Sequence, residues 1–376
     1  MRITRETLIR IAKETVQKRA LADPGLVAAY LTGSLRSENP FLGNSTDIDI
    51  VLVHAGQPKV RREILPVTPE IHLDIVHNPR SEYEKPKELR IHPWLGPELY
   101  DPLPLYVTQH FFEFIQAGVR AEYAEPVNVL ARARRNAEHA RQIWSCLQLS
   151  QETGPALLLS YLKGVNHAAN AVALLTGGPL AERRFLLQFQ ERAAAAGAPG
   201  LAAGLLGLLG GAQVDAATLS KFLTEWEKTF VDAASRNKVH VPSPVPRAGT
   251  GATSLEPGLP RGNRDYPVPS RNRDYPVPSR NRDYPASIAA PRLAYYKLAF
   301  EAMLAGDSPQ SMLWPMVHTW TLSAAVLPPT HQSKWQAACE TLGLTGEVFI
   351  ERMEGLDRFL DTVEELLENM AASQGL

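Results

Sequence analysis

The chain has 376 residues, a formal net charge of −1 and two cysteines, Cys146 and Cys339. A charge this close to zero gives no whole-protein indication of nucleic-acid binding. Two cysteines are too few for a disulfide framework or a cysteine-based zinc site. The N-terminal residues lack the apolar core of a signal peptide. Residues 193–212 are uncharged but are interrupted by Pro199, so we expect two short helices there and not a membrane span. A soluble cytoplasmic protein is expected.

The first hundred residues alternate between helical and strand patterns. Apolar side chains recur at helical spacing over residues 4–20 and predict an amphipathic helix. Strands are predicted at residues 26–32, 47–54 and 70–77. This alternation predicts an α+β fold with a small mixed sheet backed by helices.

Acidic residues follow a strand pattern in two places. Side chains on a strand alternate between faces, so Asp47 and Asp49 share one face. The same parity puts Glu70, His72 and Asp74 on one face of the later strand. If the two strands are neighbours, Asp47, Asp49 and Asp74 lie close together and repel each other. Divalent cations would relieve this repulsion, and carboxylate oxygens suit Mg²⁺.

A Gly-Ser pair, Gly33 and Ser34, ends the first predicted strand. Glycine lets the backbone approach a phosphate closely, and a serine hydroxyl and backbone N–H groups can donate to it. An ordinary half-buried strand pair is the alternative, because Asp-x-Asp and turn glycines are common by chance. Two acids on one face between apolar runs are nevertheless costly unless they are paired or liganded.

Gly-Ser, a polar loop, Asp-x-Asp on a strand and a single Asp on a later strand together resemble the DNA polymerase β-like nucleotidyltransferase superfamily. The run GSLRSENPFLGNSTDIDIVLV at residues 33–53 looks particularly like the antibiotic nucleotidyltransferases of the kanamycin type. The resemblance implies that Gly33 and Ser34 hold a triphosphate and that Asp47 and Asp49 bind magnesium. It implies that Asp74 is a third metal ligand or helps to activate the acceptor hydroxyl.

The implied reaction is the Mg²⁺-dependent transfer of a nucleoside monophosphate to an acceptor hydroxyl, with release of pyrophosphate. ATP is the expected donor by resemblance alone. The acceptor stays open between a small molecule, a protein side chain and an RNA end. In kanamycin-type relatives the helical domain provides a carboxylate base, and Glu113, Glu122 and Glu125 lie in plausible places. The rival hypothesis is a non-catalytic nucleotide-binding regulator, or an antitoxin-like interaction protein, that keeps the same fold.

The rest of the chain is predicted to be a helical bundle in two parts, residues 101–236 and 288–376, after a nucleotidyltransferase domain over residues 1–100. A polar stripe that includes Lys163 runs along one predicted helix at helical spacing. A lysine suits a phosphate, so Lys163 is the first candidate in the helical part for a triphosphate contact. A solvated helix face is the alternative.

Residues 237–287 differ in composition from the rest of the chain. They are rich in proline, glycine and arginine, and RDYPVPSRN occurs twice, at 264–272 and 273–281. Such a composition cannot bury enough apolar area to fold, which predicts a disordered insertion between two helices. A passive loop is favoured over a weak contact with RNA or another partner.

Overall fold

A computed structural model describes residues 3–236 and 284–376 of the protein. The fold is α+β, with one five-stranded mixed sheet and a larger set of helices. The strands are β1 (Leu26–Leu31), β2 (Thr46–His54), β3 (Arg62–Thr68), β4 (Ile71–Pro79) and β5 (Leu103–Val107), and their order in the sheet is β3-β4-β2-β1-β5.

Two of these strands were not predicted from the sequence. Strand β3 pairs antiparallel with β4, and β5 pairs antiparallel with β1. Both contain a proline, Pro66 and Pro104, which cannot donate to a β-ladder and is tolerated on edge strands. Both strands lie at the edges of the sheet. Because β5 belongs to the sheet, the sheet extends past residue 100, where the sequence predicted the first domain to end.

Strands β2 and β4 form the centre of the sheet and run parallel. Asp49 lies opposite Asp74, and Asp47 lies opposite His72. Neighbouring residues that pair in register point to the same face of a sheet. The pairing therefore puts the acids of both strands on one face.

The two faces of the sheet are covered by different helices. Leu8 and Val16 of α1 (Arg5–Ala22) pack against Ile48 and Ile50 on one face. The other face carries Tyr30 and Val51, which pack against residues of three helices that follow β4 in the chain. These are α2 (Pro86–Arg90), α3 (Leu95–Tyr100) and α4 (Phe111–Arg120). The acids of β2 and β4 lie on this second face, beyond the part that α2–α4 cover.

The remaining helices, apart from one short helix, share one hydrophobic core, to which the chain contributes both before and after residues 237–283. Those before are α5 (Pro126–Gln148), α6 (Gly154–Ala173), α7 (Phe185–Ala195), α8 (Gly200–Leu208) and α9 (Ala216–Arg236). Those after are α10 (Tyr284–Ser287), α11 (Arg292–Leu304), α12 (Leu313–Val326), α13 (Ser333–Leu342) and α14 (Val348–Ser373). The exception is the short α10, whose Ala286 packs with Ile64 and Ala289 in a separate small cluster. Helix α11 packs against α9 and α12 and also reaches the sheet.

The predicted disordered insertion lies almost wholly outside the described residues, apart from the short helix α10. In the uncharged stretch 193–212, α7 ends and α8 begins after Pro199, as two short helices. Among the residues described, no helix combines the length and the apolar character needed to cross a bilayer.

Candidate functional site

The acidic face of the sheet gathers three side chains from the two central strands. Asp47, His72 and Asp74 are all buried. One possible ligand atom from each lies within 4.8 Å of the others. This buried group can hold a metal ion, since two carboxylates and an imidazole are common ligands of divalent cations.

The Gly-Ser turn touches the strand that carries Asp47 and Asp49. Gly33 has φ +70°, and a Cβ added there would lie 1.7 Å from Oδ2 of Asp49. The backbone N–H of Thr32 donates to the carbonyl oxygen of Asp49 at 3.1 Å, and the Ser34 and Thr46 hydroxyls are 3.1 Å apart. Only glycine combines this backbone conformation with such close contact. The turn and the second acid of Asp-x-Asp are therefore direct neighbours.

Two arginines hold the carboxylate of Asp74. Arg62 on β3 donates from Nε to Oδ1 at 2.7 Å and from Nη2 to Oδ2 at 2.6 Å. Arg292, the first residue of α11, donates to Oδ2 as well. Burial by itself would raise the pKa of Asp74, but the two guanidinium groups outweigh it and hold the pKa well below its usual range.

Arg292 also links the sheet to the helical region. It is almost fully buried, and it donates to Oε1 of Glu182 at 3.0 Å and to the Tyr296 hydroxyl at 3.1 Å. Although burial raises the pKa of Glu182, Arg292 and Arg62 lower it to about 2 overall. Glu182 has φ +37° without being glycine. Such strain persists only where the surroundings determine it, and it is frequent at functional sites.

Tyr295 of α11 covers the other acid of the group. Its hydroxyl donates to Oδ2 of Asp47 at 2.7 Å. The guanidinium carbon of Arg183 lies 3.4 Å from the centroid of the tyrosine ring, and Arg183 also donates to the Ser45 hydroxyl at 2.7 Å. Helix α11 and the turn at residues 182–184 therefore close over the carboxylates of β2 and β4. Any ligand at these carboxylates has to displace or share the side chains of α11.

His72 is the member of the group to which the sequence assigned no role. Burial first and the nearby Arg292 second lower its pKa to about 4, so the imidazole is neutral at pH 7. Its ring lies edge-on to Tyr295, with centroids 4.8 Å apart. A neutral imidazole offers a lone pair, and with Asp47 and Asp74 it makes a donor set that fits a divalent ion. Strand parity had already put His72 on the same face as Asp74, and this was the signal in the sequence that could have identified His72 as a candidate ligand.

The polar stripe of α6 faces a neighbouring helix and a loop. Nδ1 of His167 is 3.2 Å from Oδ1 of Asn136 on α5, and Asn170 accepts a hydrogen bond from the backbone of Leu180 at 2.6 Å. Lys163 lies near His167, whose pKa its charge helps to lower. None of these contacts reaches the carboxylates of the sheet, so a role for Lys163 in binding a triphosphate stays a prediction.

Glu113, Glu122 and Glu125 are exposed. The helical part instead reaches Asp74 through Glu182, by way of Arg292. Sequence reasoning missed Glu182 because it lies in a short turn between helices, where no periodicity marks a residue.

No protein-family model matches the chain, and the search of curated proteins found no significant match. The resemblance to nucleotidyltransferases therefore depends on the residue pattern of the sequence.

Proposed function

We propose that the protein is a Mg²⁺-dependent nucleotidyltransferase that transfers AMP from ATP to an acceptor hydroxyl and releases pyrophosphate. The observation that supports this most directly is the contact between Gly33 and Asp49. It puts a Gly-Ser turn against an Asp-x-Asp strand, with Asp74 opposite Asp49 on the neighbouring strand. A nucleotidyltransferase fold of the polymerase β-like superfamily has this combination of elements.

Each residue has a defined role in this proposal. Gly33 and Ser34 hold the triphosphate, and Asp47, Asp49 and Asp74 hold the metal. Magnesium, when bound, would polarise the phosphate oxygens and offset the charge of the leaving pyrophosphate. Because β2 and β4 are central strands, they fix the carboxylates rigidly, and positioning supplies much of the rate.

The arginines around Asp74 suit the same chemistry. A guanidinium group binds carboxylate and phosphate oxygens with the same planar geometry. When the triphosphate binds, Arg62 and Arg292 would therefore release Asp74 and bind phosphate oxygens in its place. The carboxylate oxygens of Asp74 would then be available to the metal. Glu182, once released from Arg292, is the helical-region carboxylate that we assign as the base for the acceptor hydroxyl.

The test is incubation with nucleoside triphosphates labelled at the α-phosphate and a panel of small-molecule, peptide and RNA acceptors. We expect magnesium-dependent pyrophosphate release with label on one acceptor, and a loss of at least 100-fold in Asp49→Asn. Asp215→Asn is the control, because Asp215 is an exposed helix cap whose role asparagine can keep. Equal rates in the native chain and Asp49→Asn would contradict the proposal.

A non-catalytic nucleotide-binding or interaction protein is the second candidate. It is favoured by one observation: the carboxylates of Asp47 and Asp74 are engaged by Tyr295, Arg62 and Arg292, which takes up part of their capacity to bind a metal. Such a protein would bind a nucleotide or a partner, but it would release no pyrophosphate from a nucleoside triphosphate with any acceptor in the panel.

A further inference from the structure

His72 is a buried polar side chain whose hydrogen-bonding capacity is unused. Its solvent exposure is 0%, and neither ring nitrogen has a hydrogen-bond partner among the residues that the structure describes. A buried donor or acceptor left without a partner costs about 1–3 kcal/mol. Buried polar groups in proteins are almost always satisfied, by an ion or water where no protein group is available. His72 therefore indicates a ligand in its immediate surroundings.

The surroundings of His72 are those of a metal ligand. Asp47 and Asp74 each bring an oxygen to within 4.8 Å of a ring nitrogen of His72 and of each other. Metal–ligand bonds of about 2.0–2.2 Å put neighbouring ligands roughly 3–4 Å apart, so small side-chain movements suffice. All three residues stand on adjacent central strands, and Asp47 lies opposite His72.

Both carboxylates keep acceptor capacity for an ion. An ionised carboxylate has about four lone-pair positions. Asp74 accepts from Nε and Nη2 of Arg62 and from Arg292, and Asp47 accepts from Tyr295. One position on Asp74 and several on Asp47 remain. The ring of His72 completes a set with two oxygens and one nitrogen.

We propose that Asp47, His72 and Asp74 form a site for an imidazole-accepting divalent ion of the Zn²⁺ or Co²⁺ class. Mg²⁺ selects oxygen ligands almost exclusively, whereas imidazole suits the transition ions. The ion gives one of the two unpartnered nitrogens of His72 a partner, and the two carboxylates offset its charge. This site shares Asp47 and Asp74 with the proposed transferase but needs neither a nucleotide nor a transfer step.

The experiment is calorimetric titration of the full chain with Zn²⁺, Co²⁺ and Mg²⁺ after removal of bound metal, without nucleotide. Most nitrogen and oxygen sites bind Zn²⁺ more tightly than Mg²⁺, so the decisive quantity is the change caused by His72→Gln. We expect one equivalent of Zn²⁺ in the native chain and at least tenfold weaker binding in His72→Gln. Unchanged Zn²⁺ affinity in His72→Gln, or no stoichiometric binding in the native chain, overturns the proposal.

His77→Gln is the matched control. His77 lies on the same strand but on the opposite face, where its ring nitrogens meet Glu63 at 2.7 Å and His54 at 2.9 Å. We expect its Zn²⁺ affinity to equal that of the native chain. If His72→Gln does not fold, X-ray absorption of the zinc-loaded native chain decides. Scattering from one imidazole supports the site, and a shell of oxygen ligands alone overturns it.

The two proposals fail separately. Zinc binding that depends on His72, without any pyrophosphate release, would support the metal site and contradict the transferase proposal. Magnesium-dependent transfer with Zn²⁺ binding indifferent to His72 would do the reverse.

Discussion

The contact between the Gly-Ser turn and the acidic strand can be tested with Gly33→Ala. Alanine at φ +70° costs about 1–2 kcal/mol from backbone strain. The new Cβ would also lie 1.7 Å from Oδ2 of Asp49, so the carboxylate must move by more than 1 Å. Overpacking of this kind costs a further ~1–3 kcal/mol. We expect Gly33→Ala to lower the free energy of unfolding by about 2–5 kcal/mol in urea denaturation.

Gly346→Ala separates the two contributions. Gly346 has φ +69°, but a Cβ there meets no atom of the described residues within 4 Å, so we expect its substitution to cost only the backbone strain of about 1–2 kcal/mol. The double variant Gly33→Ala with Asp49→Ala removes the atom in the way and should show a favourable coupling of about 1–3 kcal/mol. If Gly33→Ala costs no more than Gly346→Ala, the turn does not press on Asp49 and the geometry of the site is wrong.

Two further predictions concern buried ionisable side chains. Arg292→Met leaves Asp74 and Glu182 without their shared cation, which should lower the free energy of unfolding by about 3–5 kcal/mol in urea denaturation. The control is Arg358→Met, at an exposed pair with Glu354, which should change the free energy of unfolding by less than about 1 kcal/mol. Equal losses in the two variants would show that the buried ion pairs of Arg292 stabilise the fold no more than an exposed pair does. Burial, and secondarily the charge of His139, lower the pKa of His167 to about 3 in the folded chain. In the unfolded chain its pKa is near 6.5, so the unfolded chain takes up the proton more readily. Stability should therefore fall by about 2 kcal/mol more between pH 7 and pH 5 in the native chain than in His167→Gln. The control is His110→Asn at an exposed histidine, which should keep the pH dependence of stability seen in the native chain. The same pH dependence in His167→Gln would show that His167 is not the group responsible.

The sequence carried enough information for the central strands. Alternation of apolar and acidic residues identified β2 and β4. Parity placed Asp47 with Asp49 on one strand and His72 with Asp74 on the other, and the structure pairs the two strands so that all four side chains share one face. Register between parallel strands cannot be obtained from parity alone. The match of Asp49 with Asp74, and of Asp47 with His72, emerged only from the fold.

The sequence could not show what covers the acids. Arg292 reaches Asp74 across 218 residues of chain, and Tyr295 reaches Asp47 across 248. Such contacts depend on how α11 packs against the sheet, and no local sequence pattern predicts that packing. Edge strands β3 and β5 were missed because Pro66 and Pro104 interrupt the strand signal, although proline is compatible with an edge.

The most direct test of the nucleotide site is calorimetric titration with a non-hydrolysable ATP analogue, with and without Mg²⁺, in the native chain and in Asp49→Asn. We expect binding to the native chain to tighten on adding Mg²⁺, and Asp49→Asn to weaken the Mg²⁺-dependent binding at least tenfold, or about 1.4 kcal/mol. An affinity that responds neither to magnesium nor to the loss of the Asp49 charge would contradict a nucleotide site at these carboxylates.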